Sequence, residues 1–165
     1  MRFLTIACLL FLAACARSPD SATGQVVYRD QAAPIASRAT VDWARMQGDW
    51  IVIEGAPDGI FGLPGNTMTL DLPRLIVERP DRPGARLIEV AIDGPGRLSQ
   101  VQGAAPLWIL WVDDGYRTVA IGTPDGSFGW IMDRDPAPAR DRLRAAREVL
   151  AWYGYDLTAF RGSGL

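Results

Sequence analysis

Residues 107–134 read LWILWVDDGYRTVAIGTPDGSFGWIMDR, and this stretch decides the fold. A nearly continuous apolar run, 107–112, meets the tight-turn pair Asp114-Gly115. A second run, 116–121, is reversed by Pro124-Asp125-Gly126 into a third, 127–134. The connections are short and rich in turn residues, so the three runs form an antiparallel meander.

The same pattern extends upstream. Runs at 50–56, 67–72, 74–78, 86–92 and 97–102 are separated by turn chemistry. The separators include a long loop with Pro57, Asp58, Gly59, Gly62, Pro64, Gly65 and Asn66, a turn at 80–84 and another at 93–96. Pro73 either divides two strands or bends one edge strand, because proline cannot donate to a ladder. Such a succession implies a meander closed as a barrel or folded as a sandwich. Downstream the period changes. Leu143, Ala146, Val149, Leu150 and Tyr153 recur at helical spacing over 139–153, with Arg140, Arg144, Arg147 and Glu148 mainly opposite. Pro138 suits the first turn and Gly154 the position after the last. One amphipathic helix therefore packs outside the β unit.

The N-terminus has a different character. Arg2 precedes an uncharged run, 3–14, of about 12 residues, well short of the ~20 that span a bilayer as a helix. Residues 1–14 read as an export signal. Leu12-Ala13-Ala14-Cys15 resembles the bacterial lipobox, which implies acylation of Cys15 and cleavage before it; the competing reading is an ordinary small-residue cleavage site with an incidental thiol. Cys8 falls in the removed segment, so a mature chain from Cys15 has no disulfide. Residues 15–40, rich in Ala, Ser, Pro, Gln and Thr, read as a flexible tether. Asp42, in Thr40-Val41-Asp42, then caps a short helical turn through Trp43 and Met46 that stops at Gly48. The remaining ~120 residues suit one domain.

The 165-residue chain contains no histidine, the commonest metal ligand and the usual base of hydrolytic triads. A net charge of −2 leaves no basic field for nucleic acid. No cofactor and no catalytic residue is expected. Asp113 and Asp114 read as turn residues, not a catalytic pair. Gly59, Gly62 and Gly65 lack the Lys-Ser/Thr ending of a phosphate loop and suit a loop over a barrel mouth. Arg140, Arg142, Arg144 and Arg147 read as a solvated helix face sooner than a lipid-binding one.

Taken together, the order of elements from about 42 to 160 resembles the lipocalin family, in particular its bacterial outer-membrane lipoprotein branch. Asp42, Arg45, Gly48 and Trp50 match the D-x-x-R-x-x-G-x-W opening. Asp114-Gly115-Tyr116 stands where the family has T-D-Y, with a glycine intervening. Trp130-Ile131-Met132-Asp133-Arg134-Asp135-Pro136 matches W-I-L-x-R-x-P. The resemblance implies an all-β, up-and-down barrel of about eight strands over 41–160, one C-terminal helix outside it and a tail at 161–165. It also implies that Gly48, Trp50 and Arg134 close the barrel base. The strands at 67–92 look short, so a shallow cup is one expected outcome.

A barrel of about eight strands is either filled by side chains or holds one small ligand. Alternation from Trp50 and Arg134 places Val52, Glu54, Phe128, Trp130 and Met132 inside, with Trp108, Leu110 and Tyr116 as further lining candidates. The resulting expectation is a non-enzymatic lipoprotein of the cell envelope, lipid-anchored and facing the periplasm from the outer membrane. It would bind a fatty acid or lysophospholipid, with no nucleic-acid partner. The alternative is a filled barrel that presents its surface to another envelope protein. A third reading, an enzyme using Glu54, needs that carboxylate to face a cavity. Interior volume separates the first two: a cavity of about 300 Å³ or more suits a ligand, and a barrel plugged by tryptophans suits the partner reading.

Overall fold

The computed structural model describes residues 26–57 and 63–162. Cys15, the segment 1–14 that reads as an export signal, Asp58, Gly59 and Gly62 lie outside the described residues. In chain order the elements are α1 (Trp43–Met46), β1 (Gly48–Gly55), β2 (Thr67–Asp71), β3 (Arg74–Arg79), β4 (Arg82–Ile92) and β5 (Arg97–Gln100). They continue as β6 (Leu107–Val112), β7 (Thr118–Gly122), β8 (Gly129–Asp133), α2 (Arg140–Trp152) and β9 (Arg161–Gly162). Each strand from β1 to β8 pairs antiparallel with the next, and β8 returns to β1. The sheet is thus a closed eight-stranded barrel, not a sandwich. The two-residue β9 adds to β1 at Glu54 and Gly55.

Closure leaves an inner and an outer apolar cluster. Inside lie Met46, Trp50, Val52, Met68, Leu70, Val77, Ile109, Val119, Trp130 and Met132 with their neighbours. Outside, Leu110, Ala120 and Ile131 of the wall meet Ala146 and Leu150 of α2. Every residue of β7 and β8 is consequently buried, because one face meets the interior and the other the helix. Helix α2 ends as the sequence predicts: Gly154 adopts φ +88°, its N–H bonds Ala151 O, and the Tyr155 N–H reaches back to Leu150 O. This is the paired bonding that satisfies a helix C-terminus.

Local expectations need correction at three places. The turn expected at 80–84 is confined to Pro80-Asp81. A bulge at Glu78/Arg79 pairs Arg79 with Arg82, so Pro83 and Gly84 join an exposed end of β4. The strand expected from Tyr116 starts at Thr118. Asp113 accepts from the N–H groups of Gly115, Arg117 and Thr118, which spreads the turn over five residues and holds Tyr116 at φ +54°.

The third correction concerns the tether. From Tyr28 to Arg38 the chain is docked along the barrel as a strap. Tyr28 and Arg29 are buried, the Tyr28 N–H bonds Gly126 O, and the Arg38 N–H bonds Ile109 O. Glycines make room for it. A Cβ on Gly126 would stand 2.7 Å from Arg29 Cβ, one on Gly154 2.8 Å from Ala33 Cβ, and one on Gly96 2.6 Å from Arg38 O. Composition reads this stretch as tether because its apolar residues are few; what holds it is backbone hydrogen bonding, the Arg29 side chain and isolated apolar contacts of Tyr28 and Ile35, which carry no periodic signal.

Candidate functional site

One end of the barrel is sealed. The Arg134 guanidinium lies 3.7 Å from the centre of the Trp50 ring. The same group donates to the carbonyls of Asp49 at 2.7 Å, Gln47 at 2.8 Å and Arg45 at 2.9 Å. Trp50 Nε1 donates to Met46 O at 2.9 Å, which places α1 across the base. Asp42 caps α1 by accepting from the N–H groups of Ala44 and Arg45. Gly48 is required here: at φ +88° a Cβ would also meet Arg134 Nη1 at 3.3 Å. Gly48, Trp50 and Arg134 are thus brought together at this end of the barrel.

Above this base the interior is almost full. A residual cavity of about 20 Å³ is lined by Met46, Trp50, Met68, Leu70, Leu75, Leu98, Leu107, Ile109, Ile121, Trp130 and Met132. Every lining side chain among the described residues is apolar or an indole. All methionines of the chain apart from Met1 are among them.

The predicted lining divides. Trp130 and Met132 face the cavity, Val52 is buried in the same cluster, and Phe128 packs against it from the mouth. Glu54, Trp108 and Leu110 do not face the interior. A bulge between Val52 and Glu54 inserts Ile53, so strict alternation fails and Glu54 turns outward to pair with Arg147 of α2. In β6 the inward phase is Leu107 and Ile109. Trp108 lies on the outer face under Arg97, whose guanidinium is 4.4 Å from its ring, and a bulge leaves Leu110 against α2. Tyr116 belongs to the base: its hydroxyl accepts from the Asp42 N–H at 2.8 Å, and Arg45 stacks 4.2 Å from its ring.

The lining residues missed by sequence reasoning were in part recoverable. Met68 and Leu70 alternate with polar neighbours in β2. Leu107 and Ile109 were hidden because β6 is apolar on both faces, so its phase could not be read. Bonded to Arg147, Glu54 faces away from the barrel interior, into an outer groove that it lines with Ile53, Pro136 and Leu143.

The fold is a closed antiparallel barrel with a sealed base, an apolar interior and one helix outside. A family model described as a lipocalin-like domain matches residues 81–163, half of the chain, and the chain belongs to that family. Among solved structures, insecticyanin from the tobacco hornworm Manduca sexta superposes with a TM-score of 0.61 at 12% identity, covering 86% of this chain and 90% of that one. The cockroach allergen Per a 4 gives 0.58 at 15% identity over 81% and 94%, and apocrustacyanin C2 gives 0.54 at 15% over 78% and 89%. Identities this low establish the shared fold alone. No curated protein matches the chain in sequence.

Proposed function

We propose that this lipocalin is a lipid-anchored protein of the bacterial envelope, acylated at Cys15 and facing the periplasm from the outer membrane. It takes one apolar chain, that of a fatty acid or a lysophospholipid, into its barrel. The observation that carries the reading is the make-up of the lining: Met46, Met68 and Met132 surround the residual cavity. Methionine is unbranched and adaptable, the side chain that yields most readily to an incoming apolar group. Folding these three side chains back against the wall opens a slot for a slender chain, stabilised by ~0.8 kcal/mol for each methylene buried. Among the described residues no carboxylate or phenol lines the cavity, since Glu54 and Tyr116 lie elsewhere. The polar head therefore stays at the mouth.

The volume itself favours the second reading. About 20 Å³ is far below the ~300 Å³ of an ordinary ligand pocket, as expected of a filled barrel that presents its surface to an envelope partner. A fluorescent fatty acid titrated into delipidated protein decides between them. Saturable enhancement, reversed by unlabelled fatty acid or lysophospholipid, is the expected result. An unsaturable or absent response leaves the filled barrel.

A further inference from the structure

We propose that the protein works with its barrel mouth turned toward the bilayer and its Arg134-sealed base away from it. The inference rests on the anchor at Cys15 and concerns what the strap does to that anchor. The strap is held at the mouth end of the barrel. Tyr28 bonds Gly126 in the loop joining β7 to β8, and Gln31 reaches Asp125 O in the same loop. Arg29, buried, donates to Pro124 O at 3.2 Å and Tyr153 O at 2.8 Å, tying strap, loop and the end of α2 together. The first described residue, Val26, therefore lies beside the mouth.

Residues 16–25 stand between Cys15 and Val26 in the sequence. Ten residues reach ~35 Å at most. The wall, from the eight residues of β1, is about 20 Å tall after allowing for strand tilt. An attachment on the mouth side lets the mouth meet the membrane directly, whereas turning the base to it takes up about 20 Å of that reach.

The exposed surface agrees. Six large hydrophobic side chains are exposed among the described residues, and three lie at the mouth end: Val26, Val27 and Val101. Val101 is in the loop joining β5 to β6. Valine transfers favourably from water into a bilayer. The partner this rim fits is a lipid surface.

The acylated full chain is purified from membranes with single cysteines introduced by Val101→Cys at the mouth or Asp114→Cys at the base. Each is labelled with a donor fluorophore and reconstituted into phosphatidylethanolamine–phosphatidylglycerol vesicles carrying headgroup-linked acceptor. Transfer severalfold higher from Val101→Cys than from Asp114→Cys is the expected result. Equal or reversed transfer in a protein shown by mass spectrometry to be acylated overturns the orientation and leaves the anchor standing. A chain recovered without acyl groups and washed from membranes by alkaline carbonate overturns the anchor, and the orientation with it.

Discussion

Arg134 covers Trp50 at 3.7 Å while its guanidinium reaches backbone carbonyls of Arg45, Gln47 and Asp49. One side chain thus joins the end of β8, the start of β1 and α1. The ring contact contributes ~0.5–2 kcal/mol, and the planar fork suits several carbonyls at once in a way that an ammonium does not. Arg134→Lys is expected to cost about 1–3 kcal/mol, since hydrogen bonds to a charged group are worth roughly 1.5–3 kcal/mol each and some survive the change. Urea denaturation measures it; an unchanged midpoint would show that the base does not depend on the fork.

Tyr155 fills a notch between paired glycines. Gly122 and Gly129 face each other across β7 and β8, and a Cβ on Gly129 would lie 2.6 Å from Tyr155 Cε1. Gly129→Ala is expected to displace the ring and destabilise the fold by ~1–3 kcal/mol, the range for overpacking. Burial pushes the Tyr155 hydroxyl up to about 12. Its folded value lies above its unfolded one, so its stabilisation is complete below about pH 10 and is lost as pH rises toward 12. Spectroscopic titration should find one tyrosine ionising late, absent in Tyr155→Phe.

Acid should act through turn carboxylates. Burial alone raises the pKa of Asp113, but the N–H groups of Thr118, Arg117 and Gly115 outweigh it and hold the carboxyl below its usual range. For Asp125, burial is outweighed by the N–H and hydroxyl of Ser127 and the hydroxyl of Thr123. Depressed folded values give stabilisation that is complete above about pH 4 to 5 and lost as pH falls through them. Urea midpoints are expected to hold from about pH 7 to 5 and drop below about pH 4. The drop should be shallower in Asp113→Asn; the same acid slope in that variant counts against the loop.

Glu54 supplies a check on the interior. Paired with a half-exposed Arg147 outside the barrel, it should contribute little to stability, about 0–1 kcal/mol. Glu54→Gln is expected to leave lipid binding unchanged in the fatty-acid titration. Loss of binding would place a polar contact where the structure has none.

Much of this fold was legible because its signals are local. Pro124-Asp125-Gly126 is a short reversal, α2 has its period and its closing Gly154, and Trp50 with Arg134 stand at the ends of two strands that must meet if a barrel closes. What escaped depends on partners distant in sequence. Whether Trp108 or Leu107 faces inward is undecidable when both faces of β6 are covered. The outward turn of Glu54 comes from one inserted residue, Ile53, which alternation cannot foresee. The docking of 28–38 relies on backbone bonds to Gly126 and Ile109, to which composition is blind.

The central claim is that the methionine-lined interior yields to an apolar chain. Native mass spectrometry of delipidated protein offered mixed fatty acids and lysophospholipids, beside Met132→Trp with its cavity plugged, tests it most directly. A one-to-one lipid species in the natural sequence, lost in Met132→Trp, is the result expected. No bound lipid in the natural sequence, or equal binding by the plugged variant, would contradict it.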